Sequence, residues 1–387
     1  MSGPRGGNPG GRGNPERAAE PAPGLGTFED KPASAAPYHT MEEHGMETGT
    51  SPDAVRTAGL RKAFRVKDQQ VEAVSGIDLT VAGGQIFGFL GPNGAGKTTT
   101  LRILTTLLPA DAGEAFVAGA DVRRSPQQVR HRIGYVGQLG GADTSATGRE
   151  NLLLQGRLYG MSAAETSRRT DELIAAFDLG AFAGRVARSY SGGQRRRLEV
   201  ALGIMHRPRV LFLDEPTTGL DPQNRASLWD QLRGLRDTGT TVFLTTHYLD
   251  EADQLSDRLA IIDHGRVIAE GTPGELKQRY SGDTIAITPS LPPASLRSLE
   301  RDLASGPFVR RARTEDGSIC LSVTDPTQAM AAVFGLLAGR GIGIRAVSLA
   351  QPSLDDVFLR ETGRSLRDAG ASAGQDTTRR AGEKVPA

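Results

Sequence analysis

A single cysteine, Cys320, among 387 residues excludes an intrachain disulfide and suits a reducing compartment. It lies in the apolar stretch Ile319-Cys320-Leu321 and is expected to be a core residue rather than a nucleophile. Long hydrophobic runs are missing too. The longest candidate, Ala329 to Leu337, is too short to span a bilayer, and Arg340 follows it. Met1-Ser2-Gly3-Pro4 opens no apolar stretch, so no secretory leader is expected. Charge of one sign is absent as well. Lys and Arg total 46 against 45 Asp and Glu, a net +1, which offers no global electrostatic footprint for nucleic acid.

What remains is a soluble, globular composition, 37% hydrophobic and 24% charged, in a chain long enough for two domains. Residues 1–52 are poor in apolar side chains; Met1 to Gly26 alone holds eight Gly and five Pro, and a disordered tail is expected. His39 and His44 fall in it and are not expected to bind metal. Residues 366–387 are polar and read the same way. Between the tails, buried-type strands (Ile86 to Leu90, Ile133 to Val136, Val210 to Leu213, Val242 to Leu244, Leu259 to Ile262) alternate with amphipathic helices. The helices are expected at Lys97 to Leu107, Gly148 to Tyr159, Ala164 to Phe177, Gly192 to Met205 and Pro222 to Leu235. This is an α/β layered domain, placed at 53–281. A small α+β unit of split-βαβ type is expected at 282–365, closing with a short helix from Leu354 to Glu361.

Gly91-Pro92-Asn93-Gly94-Ala95-Gly96-Lys97-Thr98 fits G-x-x-x-x-G-K-[ST] between a strand and a helix. Glycines let the backbone curl so that several N–H groups point into one concavity, and the helix adds its positive end. Lys97 would meet the β and γ phosphates of a nucleotide, and the Thr98 hydroxyl would serve Mg²⁺. Thr99 continues the phosphate-binding turn. Val210-Leu211-Phe212-Leu213-Asp214-Glu215 is an apolar strand ending in two carboxylates, where ligands of parallel sheets gather. Asp214 is the candidate for Mg²⁺ and Glu215 for polarising an attacking water. Ser191-Gly192-Gly193-Gln194 opens a helix, either as a plain cap or as a second phosphate-binding tip.

Tyr190 to Gln194, Leu213-Asp214-Glu215-Pro216, Gly219-Leu220-Asp221-Pro222 and His247 follow the phosphate loop in an order that resembles the nucleotide-binding subunits of ABC transporters over about residues 55–280. The resemblance implies a P-loop NTPase fold, an ABC ATPase domain with a helical subdomain, and ATP and Mg²⁺ as cofactors. Phe64 looks like the aromatic that stacks on adenine, with a strand-core phenylalanine as the other reading. Gln138 looks like the glutamine that touches Mg²⁺ and senses the permease. Ser191, Gly192, Gly193 and Gln194 resemble the signature motif that completes the opposite subunit's site, Asp221 the loop acid at that interface, and His247 the switch histidine on the γ phosphate. His131, His206 and His264 match no motif and read as structural. Arg195-Arg196-Arg197 reads first as a solvated helix face, and otherwise as support for the trans nucleotide or contact with the permease.

Tyr190 stands where the family usually has Leu, and Gly137 where Pro is common. Both departures are similar to the daunorubicin/doxorubicin-resistance type of exporter ATPase. So are Thr147 to Leu152, Thr245 to Ala252 and Ser353 to Leu359. The resemblance implies a head-to-tail homodimer sandwiching two ATP molecules, a separate transmembrane permease, no nucleic-acid partner, and a place at the cytoplasmic face of the membrane. Export of a drug-like amphipathic compound leads; lipid or polysaccharide export, or an ABC ATPase outside transport, are the alternatives. A translation-type protein would carry two such units, and a repair type a coiled coil or zinc insertion, neither of which is seen. A degenerate, merely regulatory binder is disfavoured by intact Lys97, Asp214, Glu215 and His247.

Overall fold

The computed structural model describes residues 53–66, 69–280, 283–315, 317–350 and 353–366. The tail expected at 1–52 lies outside them, as does the C-terminal tail beyond Leu366. The central sheet runs, in spatial order, Arg266–Gly271, Arg258–Asp263, Ile86–Leu90, Thr241–Thr246, Val210–Asp214 and Ile133–Val136. The first is an antiparallel edge, and the other five are mutually parallel. Ile86–Leu90 and Val210–Asp214 are buried at every position. A strand covered on both faces has no polar side, which explains their unbroken apolar sequence.

One cover is the helix Lys97–Leu104 with a second sheet, ordered Gln69–Ala82, Asp53–Val66, Ala112–Val117, Ala120–Asp121. The helix ends before the expected Leu107. Thr105 caps it and Thr106 turns left-handed at φ 63°. The second sheet was not foreseen; in Asp53–Val66, register shifts between Thr57 and Ala63 break the alternation that marks a half-buried strand. The opposite cover is made by Gly148–Leu158, Ala163–Ala176, Gly192–Gly203 and Pro222–Asp237, close to the expected spans. Their starts are fixed by side-chain caps: Thr147 with Glu150, Ser162, Ser191 with Gln194, and Asp221.

The expected small unit forms a four-stranded antiparallel sheet, ordered Val309–Glu315, Ser318–Val323, Asp283–Pro289, Ile344–Ala350. Helices Pro293–Ala304 and Pro326–Gly339 pack on one face, in the βαββαβ order the sequence suggested. Cys320 is not core as expected. In Ser318–Val323 burial alternates, so Ile319, Leu321 and Val323 point to the helices while Cys320 faces the open side, half-buried.

The closing helix, Leu354–Thr362, does not belong to this small core. Leu354, Val357, Phe358 and Leu366 share a core with Leu90, Ala252, Leu259, Ile261, Ala269 and Leu276 of the first, α/β body. Leu366, assigned on sequence to the tail, is buried there. Arg364 Nη2 donates to both Asp263 carboxylate oxygens at 3.0 Å, and Leu366 N–H to Asp355. The chain thus leaves through helix Pro273–Tyr280, builds the small sheet, and returns to the first body.

Candidate active site

Strand Ile86–Leu90 delivers Gly91 to the carboxyl edge of the sheet, where its N–H donates to Thr246 O. The following loop needs glycine at position 96. Its φ is 106°, and a Cβ there would lie 2.3 Å from Ala73 O. The loop encloses a cavity of about 360 Å³ lined by Ala73, Pro92, Asn93, Gly94, Gly96, Lys97, Thr98, Thr99, Gln138 and Glu215. Gly91, Ala95 and Asp214 are buried and do not line it.

Lys97 is only 4% exposed, and its Nζ donates to Gly91 O at 2.7 Å and Pro92 O at 3.1 Å. The same Nζ lies 3.3 Å from Glu215 Oε1. Burial lowers the ammonium's pKa, partly offset by Glu215 and Asp214. Asp214 Oδ1 accepts from Thr98 Oγ1 at 3.1 Å and from Thr245 Oγ1 at 2.6 Å, so the first hydroxyl of the loop helix meets the carboxylate that ends strand Val210–Asp214. Glu215 turns left-handed at φ 46°, a conformation costly for a side chain with a Cβ, and its N–H is anchored on Thr245. The turn aims its carboxylate at the cavity. Oε2 lies 3.3 Å from His247 Nδ1. Burial works against ionising Glu215, but His247 and Lys97 outweigh it and hold the carboxyl below the ordinary glutamate range. A base that stays ionised beside a phosphate-sized cavity can order and polarise a water.

Several sequence candidates stand elsewhere. Ser191, Gly192, Gly193, Gln194 and Asp221 do not line the phosphate cavity. Ser191 and Gln194 form a reciprocal capping box, and Asp221 caps helix Pro222–Asp237 while accepting from Asn224. Phe64 is 39% exposed in the second sheet, beside Ala63, Arg65, Gln70 and Asp111, which sets aside the strand-core reading. His206 stacks on Tyr159 with centroids 3.7 Å apart and contacts Ile133 O, a structural role as expected. Thr245 was missed as an individual residue. Its signal was a hydroxyl at the end of the strand beside the carboxylate strand. Arg196 corrects the solvated-face reading: it is 7% exposed and bonded to main-chain carbonyls.

The profile described as ABC transporter matches residues 74–218, and that of the C-terminal domain of DrrA1-3-like ATP-binding proteins matches 271–362. The daunorubicin/doxorubicin resistance ATP-binding protein DrrA of Streptomyces peucetius is 47% identical over 317 residues, 81% of this chain and 94% of that protein. The chain belongs to the ABC transporter ATP-binding family. A Nod factor export ATP-binding protein I of a Rhizobium strain (N33) is 39% identical over 313 residues, 81% of this chain and 98% of that protein. A dimeric ATP-binding cassette solved in a post-hydrolysis state with ADP and Pi aligns at TM-score 0.53 and 25% identity, over 56% of this chain and 98% of that one. The chain is an ATP-binding subunit of an ABC transporter, with ATP hydrolysis as its activity. Such cassettes dimerise and work with a separate permease. Among the described residues no helix is long and apolar enough to cross a membrane.

Proposed function

We propose that this subunit powers export of an amphipathic, drug-like compound, two copies closing head to tail over two ATP molecules at the cytoplasmic face of a permease. The observation that carries the sandwich is the division of the site. Lys97, Thr98, Gln138 and Glu215 line one cavity, whereas the anion-competent start of helix Gly192–Gly203 lies outside it. A capped helix N-terminus whose Ser191 and Gly192 are exposed can present N–H groups to a phosphate on another subunit.

Within each site, the loop N–H groups and Lys97 would hold the phosphates, and Phe64 the adenine. The donors near Thr98 suit a hard divalent cation: a hydroxyl, the Asp214 carboxylate behind it and the Gln138 amide, all oxygen. Mg²⁺ bound there would neutralise developing charge on the phosphates. Glu215 would orient the attacking water and take its proton, with His247 beside it as the γ-phosphate contact. The partner subunit's Gly192, Gly193 and loop acid Asp221 would close the far side. The export reading leans on likeness to a daunorubicin/doxorubicin resistance protein; likeness to a Nod factor export protein keeps a second cargo class in view.

The test is ATPase turnover of the full chain, alone and reconstituted with its permease, with daunorubicin as the probe cargo. Turnover should require Mg²⁺, rise with the permease, and fall by about 10²–10⁴ in Glu215→Gln with ATP binding retained. Loss of ATP binding in that variant would remove Glu215 from the chemical step. Indifference to any membrane partner would overturn the transport reading.

A further inference from the structure

Arg196 lies two residues beyond the signature segment and does not line the phosphate cavity, yet it makes four hydrogen bonds beside the site. Its Nε donates to Pro216 O at 2.8 Å, Nη2 to Asp214 O at 3.2 Å, and Nη1 to Gly137 O at 2.8 Å and to Glu199 Oε2 at 3.1 Å. Asp214 and Pro216 bracket Glu215 in the chain, and Gly137 directly precedes Gln138. Glu199, one turn along the same helix and equally buried, lies against the other side of that segment: a Cβ added at Gly140 would sit 1.9 Å from its Oε1. Gly140 itself is left-handed, at φ 70°. One ion pair on helix Gly192–Gly203 therefore binds the carbonyls on both sides of Glu215 and the carbonyl that precedes Gln138, and packs against Gly140 beyond it.

We propose that Arg196 and Glu199 are a positioning pair that sets the distance between the water-orienting Glu215 and the Gln138 segment, and ties both to the signature helix. The inference rests on the roles given above to those two residues. Burying an ion pair costs desolvation that an apolar pair of similar volume avoids, so stability alone is a weak reason for the pair; fixing the register of three segments is a better one. Only a planar fork with five donors serves acceptors on both segments at once, which a lysine ammonium cannot match.

The experiment measures kcat and KM for ATP, with ATP affinity, in the full-length chain carrying Arg196→Lys, Glu199→Gln, or Arg196→Met with Glu199→Leu. The last removes both charges together, so no lone buried charge compromises folding. Folded protein should show ATP affinity within about threefold of wild type and kcat lower by about 10–100-fold, the cost of displacing a reacting group by about 1 Å. Arg196→Lys should not rescue. Combined with Gln138→Ala, the kcat losses should be less than multiplicative, because both act through one segment. A folded Met/Leu variant with wild-type kcat would overturn the proposal, as would a change in KM alone or full rescue by lysine. Glu215→Gln, run in parallel, separates the two readings. If it hydrolyses normally, the assignment of the chemical step has failed. If it is inactive while the Arg196 variants turn over normally, only the positioning pair has failed.

Discussion

Phe358→Ala tests whether the closing helix is part of the ATP-binding body. The ring is fully buried and packs in the core shared with Leu90, Leu259, Ile261 and Leu276. Leu259 and Ile261 lie on strand Arg258–Asp263, which pairs with the phosphate-loop strand, and Leu90 is the last residue of that strand itself. Removing a buried phenylalanine costs about 3–5 kcal/mol, transfer and cavity together. For a cooperative body of this size each kcal/mol moves the midpoint by about 2–4 °C, so a fall of about 6–20 °C is expected. Phe334→Ala is the matched control: that ring is 39% exposed on the small unit, and its loss should cost well under the core value, on the order of 0.5–1 kcal/mol. The assay is differential scanning calorimetry of the full chain with and without ATP, since ATP stabilises only the body that binds it. In wild type and Phe358→Ala the ATP-sensitive transition is the one that should move. A Phe358→Ala shift confined to an ATP-insensitive transition would show that the helix folds with the small unit, and would refute the reasoning.

Lys97→Met should weaken ATP binding by about 10–150-fold, the loss of a charge-assisted bond worth about 1.5–3 kcal/mol, measured by titration with a fluorescent ATP analogue. Glu215 is held below the ordinary glutamate range partly by His247, so its ionisation and hydrolysis fail only as pH falls through that lowered value; His247→Gln should move the acid limb of kcat to higher pH. Burial pushes the Glu251 carboxyl up, only partly offset by Thr246, Trp229, Thr217 and Arg225. The folded state then binds the proton more tightly than the unfolded one, and stability falls as pH rises from the ordinary glutamate range through the raised value. Glu251→Gln should therefore raise the melting midpoint more at pH 8 than at pH 5.

The parts of this fold that were legible share one physical property: their signal is local. Buried strands such as Val210–Asp214 are apolar at each position, helix starts such as Ser191 carry their own caps, and the phosphate loop is a contiguous run of glycines with its lysine. Strand Asp53–Val66 was not legible, because its bulges displace the apolar residues from period two; its partner Gln69–Ala82 does alternate over Ile77 to Ala82 and was simply not singled out. That the closing helix packs away from the small sheet was not legible for a related reason. Its amphipathic pattern says that one face is covered, and nothing in the pattern says by what. Chain proximity favoured the small unit, whereas Arg364 and Phe358 find Asp263 and the central strands about a hundred residues upstream.

The arginine triplet shows the same limit at the site itself. Three consecutive positive charges on a helix read as a solvated face, since an isolated guanidinium is costly to bury. Helical geometry spreads three consecutive residues over most of the circumference, so they cannot all share one environment. In the structure Arg196 turns inward to the carbonyls of Gly137, Asp214 and Pro216, while Arg197 reaches Asn224 and Asp178 near the loop that carries Asp221. What decides between the faces is Glu199, one turn away, which compensates the charge of Arg196. A charged residue followed three positions later by its opposite, in a helix stretch that also carries apolar Leu198, Val200 and Ala201, was the readable sign that the pair is buried together. The segments it holds are those that flank Glu215 and Gln138, which is why a residue without access to nucleotide is expected to govern turnover more than affinity.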